Sequence, residues 1–143
     1  MKEKNLKLVI AIARVYNDVF SRIEKNIQGF NLNISEFGVL EMLYHNGEQP
    51  VQKLAEKILV TSGTITYVIN KLESKELVIR EKSKDDKRIY YVNLTEKGHE
   101  LISSIFPKHK EFIDELFDGV DEETKAELLV DLIKLRKIVN KKI

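Results

Sequence analysis

Val78-Ile79-Arg80-Glu81-Lys82, then Ser83-Lys84-Asp85-Asp86-Lys87-Arg88, then Ile89-Tyr90-Tyr91-Val92-Asn93-Leu94: the reading of this stretch decides the fold. Its outer parts run at a near-alternating period, as a half-buried strand does, and its middle is wholly polar. Two strands joined by a charged tip make a β-hairpin.

Upstream the period is helical. Pro50 suits the first turn of a short helix that has Val51, Leu54, Ala55 and Ile58 on one face. After only Leu59 and Val60, the pair Thr61-Ser62 can cap the next helix. That helix turns Ile65, Val68, Ile69 and Leu72 inward, while Thr64, Tyr67, Asn70 and Lys71 fall on the opposite side. Two short helices with a tight turn form a helix-turn-helix, here followed by the hairpin.

Long amphipathic helices flank this core. From Leu6 to Ile27 the apolar positions Val9, Ile12, Tyr16, Phe20, Ile23 and Ile27 recur at steps of three and four. Gly29 to Ile34 breaks that pattern, and Ser35 is expected to cap a helix that carries Phe37, Leu40, Met42, Leu43 and Tyr44 up to Asn46-Gly47. Beyond the hairpin, Thr95 opens a helix through Leu101, Ile102, Ile105 and Phe106, which Pro107 is expected to kink or interrupt. Asp121 can cap a last helix with Leu128, Leu129, Leu132, Ile133, Leu135 and Ile138. One copy of the core cannot cover the apolar faces of the terminal helices, so a two-fold homodimer is expected.

Composition narrows the classes. The 143 residues suit one domain, and 24 Lys plus Arg against 23 Asp plus Glu leave a net charge of +1, so bulk charge alone does not suggest nucleic acid. With no cysteine, disulfides, thiolate metal sites and thiol nucleophiles are excluded. The apolar run Leu8 to Ala13 is too short for a signal peptide, and no run approaches a membrane span. A cytoplasmic location without membrane contact is expected.

The hairpin and its surroundings resemble the MarR family. The residues that carry this are Asp86-Lys87-Arg88 followed by Val92-Asn93-Leu94-Thr95-Glu96-Lys97-Gly98, preceded by Lys71-Leu72-Glu73-Ser74-Lys75 and Leu77-Val78. One departure is Glu76, where many relatives have a glycine that would relieve a left-handed conformation, so either some strain or a slightly different turn is expected at the end of the fourth helix. The resemblance implies a mainly α fold with a small β-hairpin wing, a single domain over 1–143. Within it, 31–98 would be the winged helix-turn-helix core, and 1–30 and 99–143 the dimerisation helices.

It further implies that the fourth helix reads double-stranded operator DNA in the major groove while the wing reaches the adjacent minor groove. Thr61, Ser62 and Thr64, near a helix N-terminus, would position phosphate. Tyr67 would meet base edges or thymine methyls, and Asn70 and Lys71 the backbone. Arg88 would enter a narrow A·T-rich minor groove, held by Asp86, with Lys84 and Lys87 adding phosphate contacts. Read without its surroundings, that tip is only a solvated hairpin with a weak surface ion pair.

Within the family, Leu43-Tyr44-His45, Ser62-Gly63-Thr64-Ile65-Thr66-Tyr67-Val68-Ile69 and Ile105-Phe106-Pro107-Lys108-His109 resemble the MhqR-like repressors that answer to quinones and hydroquinones. A small aromatic or phenolic effector is thereby implied, with Tyr16, Phe20, Phe30, Phe37, His45 and Phe106 as candidate pocket residues, although core packing is the commoner role of such side chains. No cofactor is implied. A metal-responsive regulator using His45, His99 or His109 with Glu41 is the alternative, although the three histidines lack metal-ligand spacing. Catalysis has no motif to support it, and a purely structural dimer has no need of an arginine at the wing tip.

Overall fold

The structure, a computed structural model, describes residues 2–58 and 62–142. It divides into two compact units, Met1–His109 and Lys110–Ile143. The first contains α1 (Lys2–Gln28), α2 (Ile34–Asn46), β1 (Gln49–Pro50), α3 (Val51–Ile58), α4 (Ser62–Ser74), β2 (Val78–Lys82) and β3 (Tyr90–Leu94). Helix α5 (Glu96–Leu116) belongs to it as far as His109, and the second unit holds the rest of α5 and α6 (Glu122–Asn140).

The core of the first unit draws on nearly every element. Ile27 from α1, Phe37 and Leu40 from α2, Leu54 from α3, Ile65, Ile69 and Leu72 from α4, Val78 and Val92 from the strands and Ile102 from α5 are all buried. Each such side chain contributes about 1.5–3 kcal/mol relative to exposure. The inward face expected for α4 is the buried face. Helix α1 buries only its last turns: Ile27 is buried and Ile23 packs beside it, while Leu6, Val9, Ile12, Tyr16 and Phe20 are exposed. In the second unit α6 buries no residue, and Leu129 and Val130 are more than 60% exposed.

The sheet is antiparallel in the order β1-β3-β2, with Val78 opposite Leu94 and Lys82 opposite Tyr90. Four local expectations are corrected. Asn33, not Ser35, caps α2: its side chain accepts from the Glu36 amide at 2.8 Å, and the Glu36 carboxylate accepts from the Asn33 amide at 3.0 Å, a complete capping box. Pro50 lies outside α3, in the short edge strand β1 opposite Tyr91, where its missing N–H costs no ladder bond. The second wing strand begins at Tyr90, one residue after Ile89, whose carbonyl instead accepts from the Ser83 amide to close the tip.

Pro107 does not interrupt α5. Ile102 and Ile105 on one side of it are buried, and His109 on the other lies with its ring 4.5 Å from that of Phe37, so packing holds the helix across the lost hydrogen bond. Asp121 caps α6 as expected, accepting from the Thr124 amide at 2.7 Å. Among the described residues no helix is long and apolar enough to cross a membrane.

Candidate nucleic-acid interface

Helix α4 splits into two faces. Opposite its buried side, Thr64, Tyr67, Asn70 and Lys71 are all exposed, with Tyr67 at 64% and the Lys71 ammonium 5.9 Å from its ring centre. A large ring facing water on a short helix is an unusual use of an aromatic side chain, and it suits contact with base edges. Ser62 opens the helix. Thr61 lies outside the described residues, as does the Ser62 side chain.

The wing tip is built to present one arginine. The Ser83 hydroxyl accepts from the backbone amides of Asp85 and Asp86, both at 3.2 Å, which folds the tip back on itself. Asp86 then accepts three hydrogen bonds from Arg88: from its backbone amide at 3.0 Å and from Nε and Nη2 at 3.2 Å each. The paired geometry fixes the guanidinium plane while leaving the side chain 90% exposed. These bonds from Arg88 hold the Asp86 carboxyl below the usual carboxylate range. Lys84 and Lys87 are exposed at the same tip.

Structure explains the rest of the Leu-Thr-x-x-Gly signature. Thr95 Oγ1 donates to the Glu76 carbonyl at 2.7 Å and accepts from the Gly98 amide at 2.9 Å, so one hydroxyl caps α5 and ties it to the turn that ends α4. That turn contains Glu76 at φ 62°, so of the two expectations, strain or a different turn, the left-handed and strained one holds. Glu76 therefore carries strain that glycine would not.

Four polar residues whose partners sequence reasoning had no means of finding, Arg80, Glu73, Lys75 and Glu36, support α4. Arg80 on β2 donates from Nη2 to Asn70 Oδ1 at 2.9 Å and pairs with Glu73 Oε1 at 3.1 Å. Asn70 thus faces the wing strand as well as solvent. Lys75, just past α4, bonds buried Glu36 at 2.8 Å and the Asn31 carbonyl at 3.3 Å. The capping glutamate of α2 and the end of α4 are therefore joined by one ion pair.

The six candidate pocket residues do not converge on one cavity. Tyr16 and Phe20 stack on each other at 4.7 Å on the exposed face of α1. Phe37 is buried core and Phe30 packs partly buried against it. His45 and Phe106 meet edge to face at 4.7 Å, in an aromatic group that includes Tyr44 and His99. Of the six, only His45 lines the open cleft of about 640 Å³ between α2 and α3, with Glu41, Met42, Lys53 and Lys57. Among the described residues no group of three or more His, Asp or Glu side chains is placed to hold a metal ion, so the metal-responsive alternative gains no support.

Comparison with known proteins bears on this geometry directly. Residues 32–90 match the MarR family. The chain is 46% identical to the HTH-type transcriptional regulator MhqR of Bacillus subtilis (strain 168), over 94% of its own length and 92% of that protein's. It is similar in structure to a MarR-like transcription regulator from Bacillus cereus ATCC 10987, with a TM-score of 0.83, 26% identity and coverage of 94% and 97% of the two chains. The fold is also that of S. aureus MepR, solved as a complex with DNA, with a TM-score of 0.80 at 18% identity over 90% and 96%. A helix-turn-helix with a polar face exposed on its second helix, an arginine-tipped wing and this degree of likeness to MhqR have one reading: the chain belongs to the MarR family of winged helix-turn-helix transcriptional regulators.

Proposed function

We propose that this protein is a homodimeric repressor that acts in the cytoplasm, occupies a palindromic operator and leaves it on binding a small quinone-like aromatic. The carrying observation is Arg88, presented at the wing tip with its guanidinium plane fixed by Asp86. A pre-oriented arginine at 90% exposure suits insertion into a narrow minor groove, where the negative potential is enhanced. Tyr67 and the exposed face of α4 would enter the neighbouring major groove, with Thr61, Ser62, Thr64, Asn70, Lys71, Lys84 and Lys87 on phosphate.

The exposed apolar residues of α1 and of α6 support the dimer, because a second copy is the simplest cover for them. In this layout 31–98 is the reader, and 1–30 and 99–143 carry dimerisation. Half-sites on the DNA would then mirror the two-fold axis. The effector class rests on the resemblance of the Leu43-Tyr44-His45 and Ile105-Phe106-Pro107 segments to quinone-responsive repressors, and Tyr44, His45 and Phe106 come together in one aromatic group. With no cysteine, the response would be noncovalent or would use another nucleophile.

The test is binding of the purified protein to the DNA upstream of its own gene, against a scrambled competitor, at two salt concentrations. Wild type should prefer the upstream DNA, and Arg88→Ala should lose about tenfold or more of that preference. Equal binding to both duplexes by wild type would overturn the operator reading. Hydroquinones that leave a bound complex intact would overturn the effector reading alone.

A further inference from the structure

Arg80 belongs to neither the exposed face of α4 nor the wing tip, yet it touches both halves of the reader. It lies on β2, an edge strand held in the sheet by β3 alone. Its Nη2 reaches across to two side chains one turn apart on α4, Asn70 Oδ1 at 2.9 Å and Glu73 Oε1 at 3.1 Å. The guanidinium also lies over a ring of the neighbouring strand, with its carbon 5.7 Å from the Tyr90 ring centre. Arg80 and Glu73 are 29% and 33% exposed, so the pair is partly shielded from water and salt.

We propose that Arg80 is a positioning residue, which with Glu73 and Asn70 clamps the wing to the reading helix and so sets the spacing at which two grooves are read at once. The lever is long. From Arg80 the chain runs three residues, about 10 Å, to the bond that closes the tip. A swing of about 10° at the base would displace the tip by about 2 Å, enough to misplace a side chain made for a narrow groove. A lysine ammonium has donors enough for both acceptors, but it lacks the flat guanidinium that also lies near the Tyr90 ring, so it would hold the clamp less firmly.

Simple electrostatics gives the opposite expectation for one variant. Glu73 is an anion in a DNA-binding module, so its removal should strengthen binding to any duplex. The clamp requires that Glu73→Ala weaken specific binding.

The inference rests on the DNA-binding reading, which is secured first by selecting a preferred duplex for the wild-type protein from a random pool. On that duplex Glu73→Ala, Arg80→Ala, Arg80→Lys, Arg88→Ala and the Arg80/Arg88 double variant are measured, each with its thermal midpoint. Glu73→Ala should lose about tenfold in specific affinity with non-specific affinity unchanged or higher, and Arg80→Lys should lose less than Arg80→Ala. Once Arg80 is gone, Arg88→Ala should cost little more, because a misplaced tip has little left to lose. Tighter or unchanged specific binding by Glu73→Ala would overturn the clamp. So would additive losses for Arg80 and Arg88, which would make Arg80 a phosphate contact instead. Glu73→Ala decides the question even if Arg80→Ala does not fold.

Discussion

A β-carbon placed on Gly98 would stand 2.0 Å from the carbonyl oxygen of Leu77. That carbonyl also accepts from the Thr95 amide at 3.0 Å, so neither backbone can retreat without breaking the junction between the α4 turn and α5. Gly98→Ala should therefore destabilise the protein by about 3 kcal/mol, at the upper end for overpacking. Urea denaturation checks it, and a loss under about 1 kcal/mol would mean the junction is softer than the geometry implies.

Glu76 offers the opposite change. At φ 62° a residue with a β-carbon is strained by about 1–2 kcal/mol, while glycine there costs some unfolded-state entropy. Glu76→Gly should gain about 1 kcal/mol in the same assay, since the ion pair to Lys97 that it removes is exposed and 3.9 Å long.

Lys75 and Glu36 should behave as a partly buried pair, with the carboxylate its buried member. The Glu36 side chain is 3% exposed and keeps its place in the capping box whether or not Lys75 is present. Lys75→Ala leaves that carboxylate without its counter-ion, at a cost of about 3 kcal/mol. Lys75→Met with Glu36→Gln should cost less than Lys75→Ala alone, measured as a double-mutant cycle.

Stability should fall on mild acidification through His109. Burial holds its imidazole below the ordinary histidine pKa, an effect the Glu41 carboxylate only partly offsets. Between the lowered folded value and about 6.5 the unfolded chain binds a proton that the folded chain does not, so stability drops as pH falls through about 6.5 and levels off below the folded value. The urea midpoint of His109→Gln should change less between pH 8 and about pH 5.5 than that of wild type.

Asp86→Ala removes an anion from the wing tip and with it the acceptors that orient Arg88. Because the pair is at the surface, specific binding should weaken by no more than about fivefold, less than for Arg88→Ala. Fluorescence anisotropy on one operator duplex compares the two directly.

The order of elements, the buried face of α4 and the arginine-tipped hairpin were legible because each is written in a short-range period or spacing. Where local signals conflicted, packing or pairing chose. Asn33 and Ser35 are both able caps, and reciprocal bonds with Glu36 selected Asn33. Pro50 could open a helix or end a strand, and the partner strand β3 decided it. Pro107 breaks helices in isolation, but the packed residues on both sides of it held α5 together.

The sequence by itself determined the family, the helix-turn-helix with its wing, and the exposure of the α4 face and of the wing tip, since all of these depend on neighbours within a turn or a hairpin. Only tertiary structure decided that Arg80 would meet Asn70 and Glu73, that Lys75 would meet Glu36, and that Leu77 would press on Gly98. Such contacts join residues from different elements, and nothing in a charged or small residue's immediate sequence specifies its partner. That choice is made when the apolar faces pack and leave only certain polar groups within reach.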